Sequence, residues 1–167
     1  NVIGRYHGRS EFGQRALGNR SILASINYPG IVEKINRKIK SRDFWMPFAL
    51  SIIDDDFQKY FTKNKSIDPF FMTTCYKLKD KINLTQFQNV VHQADRTGRP
   101  QVVTYENNPE YYNLINSVKD RTGVGAILNT SFNIHKKTIV ETIDDAIEVF
   151  KTTNLDGLII NSHFISK

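Results

Sequence analysis

The sequence of 167 residues contains one cysteine, no long apolar run and no apolar leader segment at its N-terminus. Because a disulfide needs two thiols, Cys75 alone excludes an intramolecular disulfide and any site built from several cysteine ligands. No apolar run approaches the ~18–20 residues needed to cross a bilayer, and no signal-peptide pattern is visible. We therefore expect a cytoplasmic protein of a reducing compartment that has no membrane partner.

Apolar and aromatic residues, in contrast, are plentiful. Hydrophobic residues make up 40% of the chain, with 11 Phe, seven Tyr and one Trp, which is too many for a disordered protein. The length suits one domain with its own core. The sequence opens in a strand-like run without an initiator Met, so we expect residues 1–167 to be a single domain of a longer protein.

The positive charge of the chain is unevenly distributed. The formal net charge is +6, yet residues 1–42 alone hold nine basic and two acidic groups, a net of +7. The remaining residues are close to neutral. A concentrated positive field of this kind favours an anionic partner, such as phosphate, a nucleotide, nucleic acid or a membrane surface.

Strand and helix patterns alternate along the chain, which predicts an α/β fold with a mixed or partly parallel sheet. The clearest helix covers 109–122, because Asn108 can cap its start and Gly123 can end it. Weaker patterns predict a short helix within 14–23 and two strands, over 88–92 and 101–105, that flank a turn at 96–100.

Glycines and arginines recur every five or six residues between positions 8 and 23. Glycine lets the backbone turn tightly and approach a ligand, and the guanidinium fork matches phosphate or carboxylate oxygens. Glu11 can orient one of these guanidinium groups. A surface loop explains any one of these residues, but the whole set favours an anion site. The set comprises Gly8, Gly13, Gly18, Arg9, Arg15 and Arg20.

Three further places carry candidate site residues. Lys40 ends a basic helix beside an apolar run, so its ammonium group can point into a cleft. Arg99 precedes a predicted strand and can aim at a site. The polar residues that follow the buried strand at 124–128 lie where open α/β sheets bind ligands, although a simple polar turn explains them equally well. The four histidines show no metal-ligand spacing, so no metal site is predicted.

The run Glu-Phe-Gly-Gln-Arg-Ala-Leu-Gly-Asn-Arg-Ser-Ile-Leu at 11–23 resembles EFGPRALGNRSIL, a motif in the C-terminal domain of the NodU/CmcH O-carbamoyltransferase family. Three shorter motifs of that family follow in the same order: Pro47-Phe48-Ala49, Arg99-Pro100-Gln101 and Asn129-Thr130-Ser131-Phe132-Asn133. The similarity extends over nearly the whole chain, and a long block with one difference makes it specific.

The resemblance implies a YrdC-like fold, with a twisted mixed sheet and flanking helices. It also implies formation of carbamoyl-adenylate from carbamoyl phosphate and ATP, with Mg²⁺ on the nucleotide. That is the first half-reaction of an O-carbamoyltransferase acting on a hydroxyl of a sugar, antibiotic or polysaccharide. The partner expected is an N-terminal carbamoyl-transfer domain of the actin-like ATPase type on the same polypeptide, and a homodimer is compatible with this assignment.

The resemblance also assigns roles to individual residues. Arg15, Lys40 and Arg99 match catalytic positions that hold carbamoyl phosphate and ATP, and Ser131 and Asn133 match positions that donate hydrogen bonds to these ligands. Arg15 and Arg99 would clamp phosphate oxygens, whereas Lys40 would act as a mobile point charge. Supporting roles are expected for Glu11, Arg20, Arg42, Gln101, Asn129 and Thr130.

Two differences from the family pattern bear on the site. Met46 stands where the family has a ligand-binding arginine, which weakens the phosphate site unless Arg42 substitutes, and Gln14 replaces a proline. An RNA- or nucleotide-binding module without carbamoyl chemistry is the alternative. Nucleic acid ranks lower as a partner because the sequence has no basic stripe interleaved with exposed aromatics. A catalytically silent scaffold domain is a third possibility.

Overall fold

The computed structural model describes residues 1–40, 46–63 and 68–167. Its strands are β1 (Val2–Tyr6), β2 (Arg20–Ala24), β3 (Ala49–Ile53), β4 (Tyr76–Lys77), β5 (Thr97–Gly98), β6 (Pro100–Val103), β7 (Ala126–Ser131), β8 (Gly157–Ile160) and β9 (His163–Ser166). Its α-helices are α1 (Ile31–Ile35), α2 (Asp54–Tyr60), α3 (Pro109–Thr122) and α4 (Ile143–Thr152). A π-helical turn, Asn36–Lys40, continues α1, and a 3₁₀ turn covers Leu84–Phe87.

Seven strands form one mixed sheet in the order β6-β3-β7-β2-β1-β8-β9. Two neighbouring pairs are parallel, β3 with β6 and β1 with β8, and the other neighbours are antiparallel. β4 and β5 pair separately. The predicted α/β fold, a mixed sheet with flanking helices, is confirmed. No helix of the described ranges is both long and apolar enough to span a membrane.

Helices cover both faces of this sheet, because successive side chains of a strand point to opposite sides. On one face, α3 packs Tyr111 and Ile115 against Leu23, Ile53 and Ile127. On the other face, Ile22, Leu50, Ile52 and Leu128 belong to a larger core that includes residues of α1 and α4.

The helix predicted from the clearest capping residues in the sequence is confirmed. α3 has the predicted bounds: the side chain of Asn108 accepts a hydrogen bond from the backbone N–H of Tyr111 at 3.1 Å, and Gly123 ends the helix with a φ of +77°. The predicted helix within 14–23 is wrong, because residues from Arg20 onward form β2, which pairs with strands on both sides.

The predicted strand over 88–92 is also wrong. Those residues form turns after the 3₁₀ segment, while β5 and the start of β6 occupy the predicted turn at 96–100. The predicted strand at 101–105 corresponds to β6, which begins one residue earlier.

One edge of the sheet gathers the segments that carry the candidate site. The carboxyl ends of β1 and β7 lie there together with the starts of β2, β3 and β6, as the register shows. The connection between β1 and β2, residues 7–19, therefore begins and ends at this edge; we call it the hairpin loop. Residues 131–133 and Arg99 lie at the same edge.

Candidate functional site

Glu11 holds the hairpin loop through its backbone. The Oε1 atom of Glu11 accepts hydrogen bonds from the amides of Leu17 at 2.6 Å, Asn19 at 2.7 Å and Arg20 at 3.4 Å. The bonded oxygen of Glu11 therefore takes up backbone donors, and the negative charge of Glu11 also acts on the nearby Arg5 guanidinium. By ordering several amides at once, the carboxylate fixes the loop around Arg15.

Arg20 is a structural part of the hairpin loop rather than a ligand-binding residue. Its buried guanidinium donates to the carbonyl oxygens of His7 at 2.9 Å, Gly8 at 3.0 Å and Asn19 at 3.1 Å. The same group lies 3.5 Å from the centroid of the Tyr6 ring. Because its Nη1 and Nη2 atoms donate to backbone carbonyls, Arg20 shapes the loop.

Arg5, which the sequence analysis did not select, plays a similar part. It is 4% exposed, and its Nη1 atom donates to the carbonyl oxygen of Gly18. Burial lowers the pKa of the Arg5 guanidinium, while the nearby Tyr111, Glu110 and Glu11 act in the opposite direction. An arginine inside the strand-like run Val2–Tyr6 is the sequence signal that could have identified it.

Two side-chain amides hold the carbonyl groups that follow Arg15. The Nε2 atom of Gln101 donates to the carbonyl oxygen of Leu17 at 2.7 Å, and the Nδ2 atom of Asn129 donates to that of Ala16 at 3.2 Å. A backbone carbonyl can only accept, so it decides which way each amide is turned. Both predicted supporting residues therefore act on the segment next to Arg15.

Ser51 joins the two amides beneath the loop. Its hydroxyl donates to Oε1 of Gln101 at 2.7 Å and accepts from Nδ2 of Asn129 and from the hydroxyl of Tyr111, both at 2.9 Å. Burial raises the pKa of the Tyr111 phenol, so this hydroxyl stays protonated and serves as the donor. We call Tyr111, Ser51, Gln101 and Asn129 the buried relay.

Gly18 brings the hairpin loop into contact with this relay. Its φ of +123° lies in a region that other residues avoid, and an added Cβ would lie 2.7 Å from the Tyr111 ring. Tyr111 is fully buried and hydrogen bonded, so it cannot move aside. This chain therefore needs a glycine at position 18, because the loop backbone packs directly on an aromatic ring.

Lys40, Ser131 and Asn133 form a compact cluster at the end of β7. The Nζ atom of Lys40 donates to the carbonyl oxygen of Ser131 at 2.6 Å, to its Oγ at 2.9 Å, and to Oδ1 of Asn133. The hydroxyl of Ser131 also donates to Oδ1 of Asn133 at 2.7 Å. The structure thus places Lys40, which is only 3% exposed, in direct contact with two residues that lie some 90 positions later in the sequence.

Arg15 and Arg99 lie close enough to repel each other. Burial lowers the pKa of the Arg15 guanidinium, and the positive charge of Arg99 lowers it further. Within residues 1–40, 46–63 and 68–167, neither guanidinium has a hydrogen-bonding or ion-pair partner. Both side chains are half-buried, so two arginines with unused donors in the described ranges remain reachable from solvent.

A small pocket lies beside Arg15. It has a volume of about 40 Å³ and is lined by residues that include Arg15, Ala49, Met72, Asn129 and Ser131. Ser131 links this pocket to Lys40. The Oδ1 atom of Asn129 is buried and has no partner among the described residues. Thr130 contributes to the lining of the same pocket and is itself buried.

Other predicted features lie apart from this pocket or outside the described ranges. Met46 lines a different pocket, with Val32 and His92. Arg42 lies outside the described residues, so its proposed substitution for the missing arginine stays a prediction. Among the described residues, no group of three His, Cys, Asp or Glu side chains is arranged to hold a metal ion.

Ser51 and Tyr111 are the two members of the buried relay that sequence reasoning missed. Ser51 is the one polar residue in the apolar run Ala49–Ile53, which was a usable signal. Tyr111 was not singled out among the residues of α3, and nothing local in the sequence distinguishes it. Its role depends on the register of strands that lie far apart in the chain.

The sequence of this chain is similar to a described family and to several known proteins. A model of the family described as Carbamoyltransferase C-terminus matches residues 1–167. Nodulation protein NolNO of Sinorhizobium fredii is 42% identical over 99% of this chain and 24% of its own length. Nodulation protein NolO of Bradyrhizobium diazoefficiens is 39% identical over 99% of this chain and 30% of its own length.

A more distant relative carries a chemical name. The 3'-hydroxymethylcephem-O-carbamoyltransferase of Streptomyces clavuligerus is 26% identical over 95% of this chain and 29% of its own length. The chain therefore spans about a quarter to a third of the length of these relatives.

Proposed function

Because the chain belongs to the carbamoyltransferase C-terminus family, we propose that it is one domain of an O-carbamoyltransferase and forms carbamoyl-adenylate from carbamoyl phosphate and ATP. In the whole enzyme, an N-terminal domain of the same polypeptide would transfer the carbamoyl group to a hydroxyl of a sugar, antibiotic or polysaccharide. The relatives' names support carbamoyl transfer in general, and the local geometry supports the anion chemistry.

The proposed reaction has two chemical events. Water cleaves the P–O bond of carbamoyl phosphate, which releases inorganic phosphate and carbamate. An oxygen of carbamate then attacks the α-phosphorus of ATP, the bond from that phosphorus to the bridging oxygen breaks, and pyrophosphate leaves. Such phosphoryl chemistry depends on positioning and charge stabilisation more than on a nucleophile from the protein.

The observation that carries the proposal is the pair formed by Arg15 and Arg99. Two positive groups near each other repel, and burial makes that repulsion more costly. No partner in the described part of the chain offsets it here. An anion between the two guanidinium groups would remove the repulsion and use their free donors in bidentate hydrogen bonds.

Lys40 supplies a third cation next to this pair. Its ammonium group is anchored on Ser131, which also lines the pocket with Arg15. Two polyanionic substrates repel each other, so several cations in one cleft are needed to hold them together. Oδ1 of Asn133 accepts from both the Lys40 ammonium and the Ser131 hydroxyl. A ligand phosphate that took the place of this oxygen would accept both hydrogen bonds.

Within the described ranges, no group of three carboxylate, histidine or cysteine side chains is arranged to hold a metal ion. Mg²⁺ would therefore be held by the phosphate oxygens of the nucleotide and by water. When bound in this way, it would neutralise phosphate charge. The cations of this chain would neutralise the rest.

Isothermal titration calorimetry with Mg²⁺-ATP and with carbamoyl phosphate tests the proposal. We expect both ligands to bind to the wild-type chain, and Arg15→Ala and Arg99→Ala each to abolish detectable binding while circular dichroism shows a retained fold. Arg9→Ala is the matched control, because Arg9 is an exposed arginine of the same hairpin loop. Its affinity should equal that of the wild type.

Failure of a folded wild-type sample to bind either ligand would contradict the proposal. Unchanged affinity in both Arg15→Ala and Arg99→Ala would contradict the site. Preference for long RNA over ATP, with affinity that falls steeply as salt increases, would support the RNA-binding alternative instead.

A further inference from the structure

The core beneath α3 does not extend across the whole sheet. Its described members on the sheet come from β2, β3, β6 and β7, and none of them belongs to β1, β8 or β9. A sheet face requires a second layer to remove its apolar side chains from water. The three remaining strands are therefore the part of this face to which the core under α3 gives no cover.

The strand register places three apolar side chains on that part of the face. Ile3 lies opposite Leu23, which packs in the core under α3, so both point to the same side of the sheet. Ile3 also lies opposite Gly157, and Ile159 lies opposite Phe164. Because alternate residues of a strand share a side, Ile159 and Phe164 lie on the side of Ile3. We call Ile3, Ile159 and Phe164 the open face.

The open face is apolar and reachable from solvent. Phe164 is 62% exposed, and Ile3 and Ile159 are half-buried. The Phe164 ring packs on the backbone of Gly157, where an added Cβ would lie 2.6 Å from the ring. β8 therefore holds the ring in place while more than half of the side chain stays in contact with water.

The two edges of the sheet differ in the same sense. At the β6 edge, the strand begins with Pro100, its residues are buried, and the amide of Val102 donates to the carbonyl oxygen of Pro69 at 2.7 Å. At the β9 edge, all four residues are exposed, and His163–Ser166 contain no proline, lysine, arginine or carboxylate. Edge strands that stay free in solution usually carry such residues, so β9 has the features of an edge that is covered.

The open face is too small to hold a free second copy of the chain. At about 4.8 Å between strands and about 3.3 Å per residue, it measures on the order of 10 Å by 13 Å. Stable interfaces between separate proteins bury about 800 Å² on each partner. A segment tethered to the chain needs less area, because the tether gives it a high effective concentration.

The start of the chain lies beside the open face. Ile3 follows Asn1 by two residues, and Asn1 and Phe164 line the same cavity of about 610 Å³. The family is described as the C-terminus of carbamoyltransferases, and this chain spans a minor part of its relatives' length. In a whole enzyme of this kind, the polypeptide that precedes residue 1 therefore enters at the margin of the open face.

We propose that the open face is a docking surface for that preceding polypeptide, which covers Phe164 and Ile159 with apolar side chains. The proposal rests on the proposed function in one respect, because it takes the chain to be one domain of a longer enzyme. Asn1 and the hairpin loop lie at opposite ends of β1. Docking at the open face therefore leaves the pocket beside Arg15 accessible.

Hydrogen–deuterium exchange of the 167-residue chain and of the whole polypeptide that contains it tests this docking surface. The amides of residues 157–166 should exchange about tenfold more slowly in the whole polypeptide, because docking raises the free energy of local opening. Equal exchange rates at these residues would overturn the proposal. This comparison uses the wild-type sequence, so it does not depend on the folding of any variant.

Substitutions in the whole polypeptide locate the effect. Phe164→Glu should return the exchange of residues 157–166 to the rate of the 167-residue chain, whereas Phe164→Leu should keep it slow. Tyr105→Glu is the matched control, because Tyr105 is 57% exposed and follows β6 at the opposite edge of the sheet. Slow exchange that persists in a folded Phe164→Glu variant would overturn the role of the open face.

Further outcomes separate this proposal from its alternatives. A 167-residue chain that light scattering shows to be a dimer, and that Phe164→Glu but not Tyr105→Glu dissociates, would overturn it in favour of a second copy. Slow exchange at residues 157–166 without binding of ATP or carbamoyl phosphate would support the docking surface and contradict the proposed function. Binding of both ligands with equal exchange would do the reverse.

Discussion

The arginines of this chain fall into two groups with opposite environments. Arg5 and Arg20 are almost completely buried, and they donate to backbone carbonyls of the hairpin loop. Arg15 and Arg99 are half-buried, lie near each other, and have no internal partner in the described part of the chain. The same side chain thus serves as scaffold in one place and as an anion receptor in the other.

This difference changes how the positive charge of residues 1–42 should be understood. The net charge of +7 in that segment suggested an anionic partner. Two of its nine basic groups, Arg5 and Arg20, instead donate hydrogen bonds to backbone carbonyls of the hairpin loop. Arg99, which completes the receptor, comes from the near-neutral remainder. The charge of a segment indicates the sign of a partner, whereas unused donors indicate where the partner binds.

The largest effect on stability is expected for the buried arginines Arg5 and Arg20, which we call the scaffold group. Arg20→Ala removes hydrogen bonds to three carbonyl groups and a ring contact, so we expect it to lower the free energy of unfolding by about 4 kcal/mol. Chemical denaturation measures this change. Arg20→Lys should be nearly as destabilising, since an ammonium group cannot replace the guanidinium fork.

Arg9→Ala is the control for this measurement, because Arg9 is exposed in the same loop. Its unfolding free energy should stay within about 0.5 kcal/mol of the wild type. Equal stabilities of Arg9→Ala and Arg20→Ala would show that the buried guanidinium does not support the loop.

Gly18→Ala tests the contact between the loop and the buried relay. The positive φ and the close approach to Tyr111 should together cost about 3 kcal/mol of unfolding free energy. Gly13→Ala shares the positive φ, at +113°, but its added Cβ meets nothing within 4 Å. The difference between the two variants therefore isolates the steric contact, and identical losses would argue against it.

Tyr111→Phe retains the ring but removes the hydroxyl that donates to Ser51. We expect a loss of about 1 kcal/mol of unfolding free energy, typical of one hydrogen bond. If the buried relay also positions Arg15, Tyr111→Phe should weaken carbamoyl phosphate binding in a chain that retains Arg15. When Arg15→Ala is also present, the chains with and without Tyr111→Phe should both fail to bind carbamoyl phosphate. A stability loss with unchanged affinity would limit Tyr111 to a structural role.

The same phenol predicts a response to alkaline pH. Because burial raises its pKa in the folded state, its contribution to stability is complete below about pH 10, the pKa of an unfolded tyrosine, and is lost as pH rises further. Tyr111→Phe should therefore lose less stability than the wild type between pH 9 and pH 11, flanking that pKa of about 10. Parallel losses in thermal melts would contradict this assignment.

The smallest effect on stability is expected for the half-buried arginines Arg15 and Arg99, which we call the receptor group. Arg15→Ala removes a charge that repels Arg99 and makes no hydrogen bond within the described residues, so its unfolding free energy should change by less than about 0.5 kcal/mol. This contrasts with the complete loss of ligand binding expected for the same variant. A large destabilisation in denaturant titrations would move Arg15 into the scaffold group.

The parts of the fold that could be predicted are those with local causes. The caps of α3 at Asn108 and Gly123 act within one turn, so the sequence alone specifies both ends. β2 could not be predicted as a strand, because its state depends on pairing with β1 and β7, which lie before and far after it. Nothing within 14–23 distinguishes a helix from such a strand.

The same limit applies to the candidate site. The family motifs selected Lys40, Ser131 and Asn133, and the structure places them in contact. Glu11 and Arg20 hold the backbone of the loop. The sequence does not show this, because loop closure rather than residue type decides whether a charged group meets backbone or ligand. Ser51 and Tyr111 act through strand register, which a single sequence does not reveal.

The way the hairpin loop is held has a consequence for how this domain tolerates change. Glu11 binds loop amides, and Gln101 and Asn129 bind loop carbonyls, so the restraints act on main-chain atoms that every residue supplies. Exposed loop positions such as Phe12 and Gln14 are then free to vary in side chain. A glutamine in place of the family proline at position 14 is a substitution that such a loop absorbs while Arg15 keeps its place.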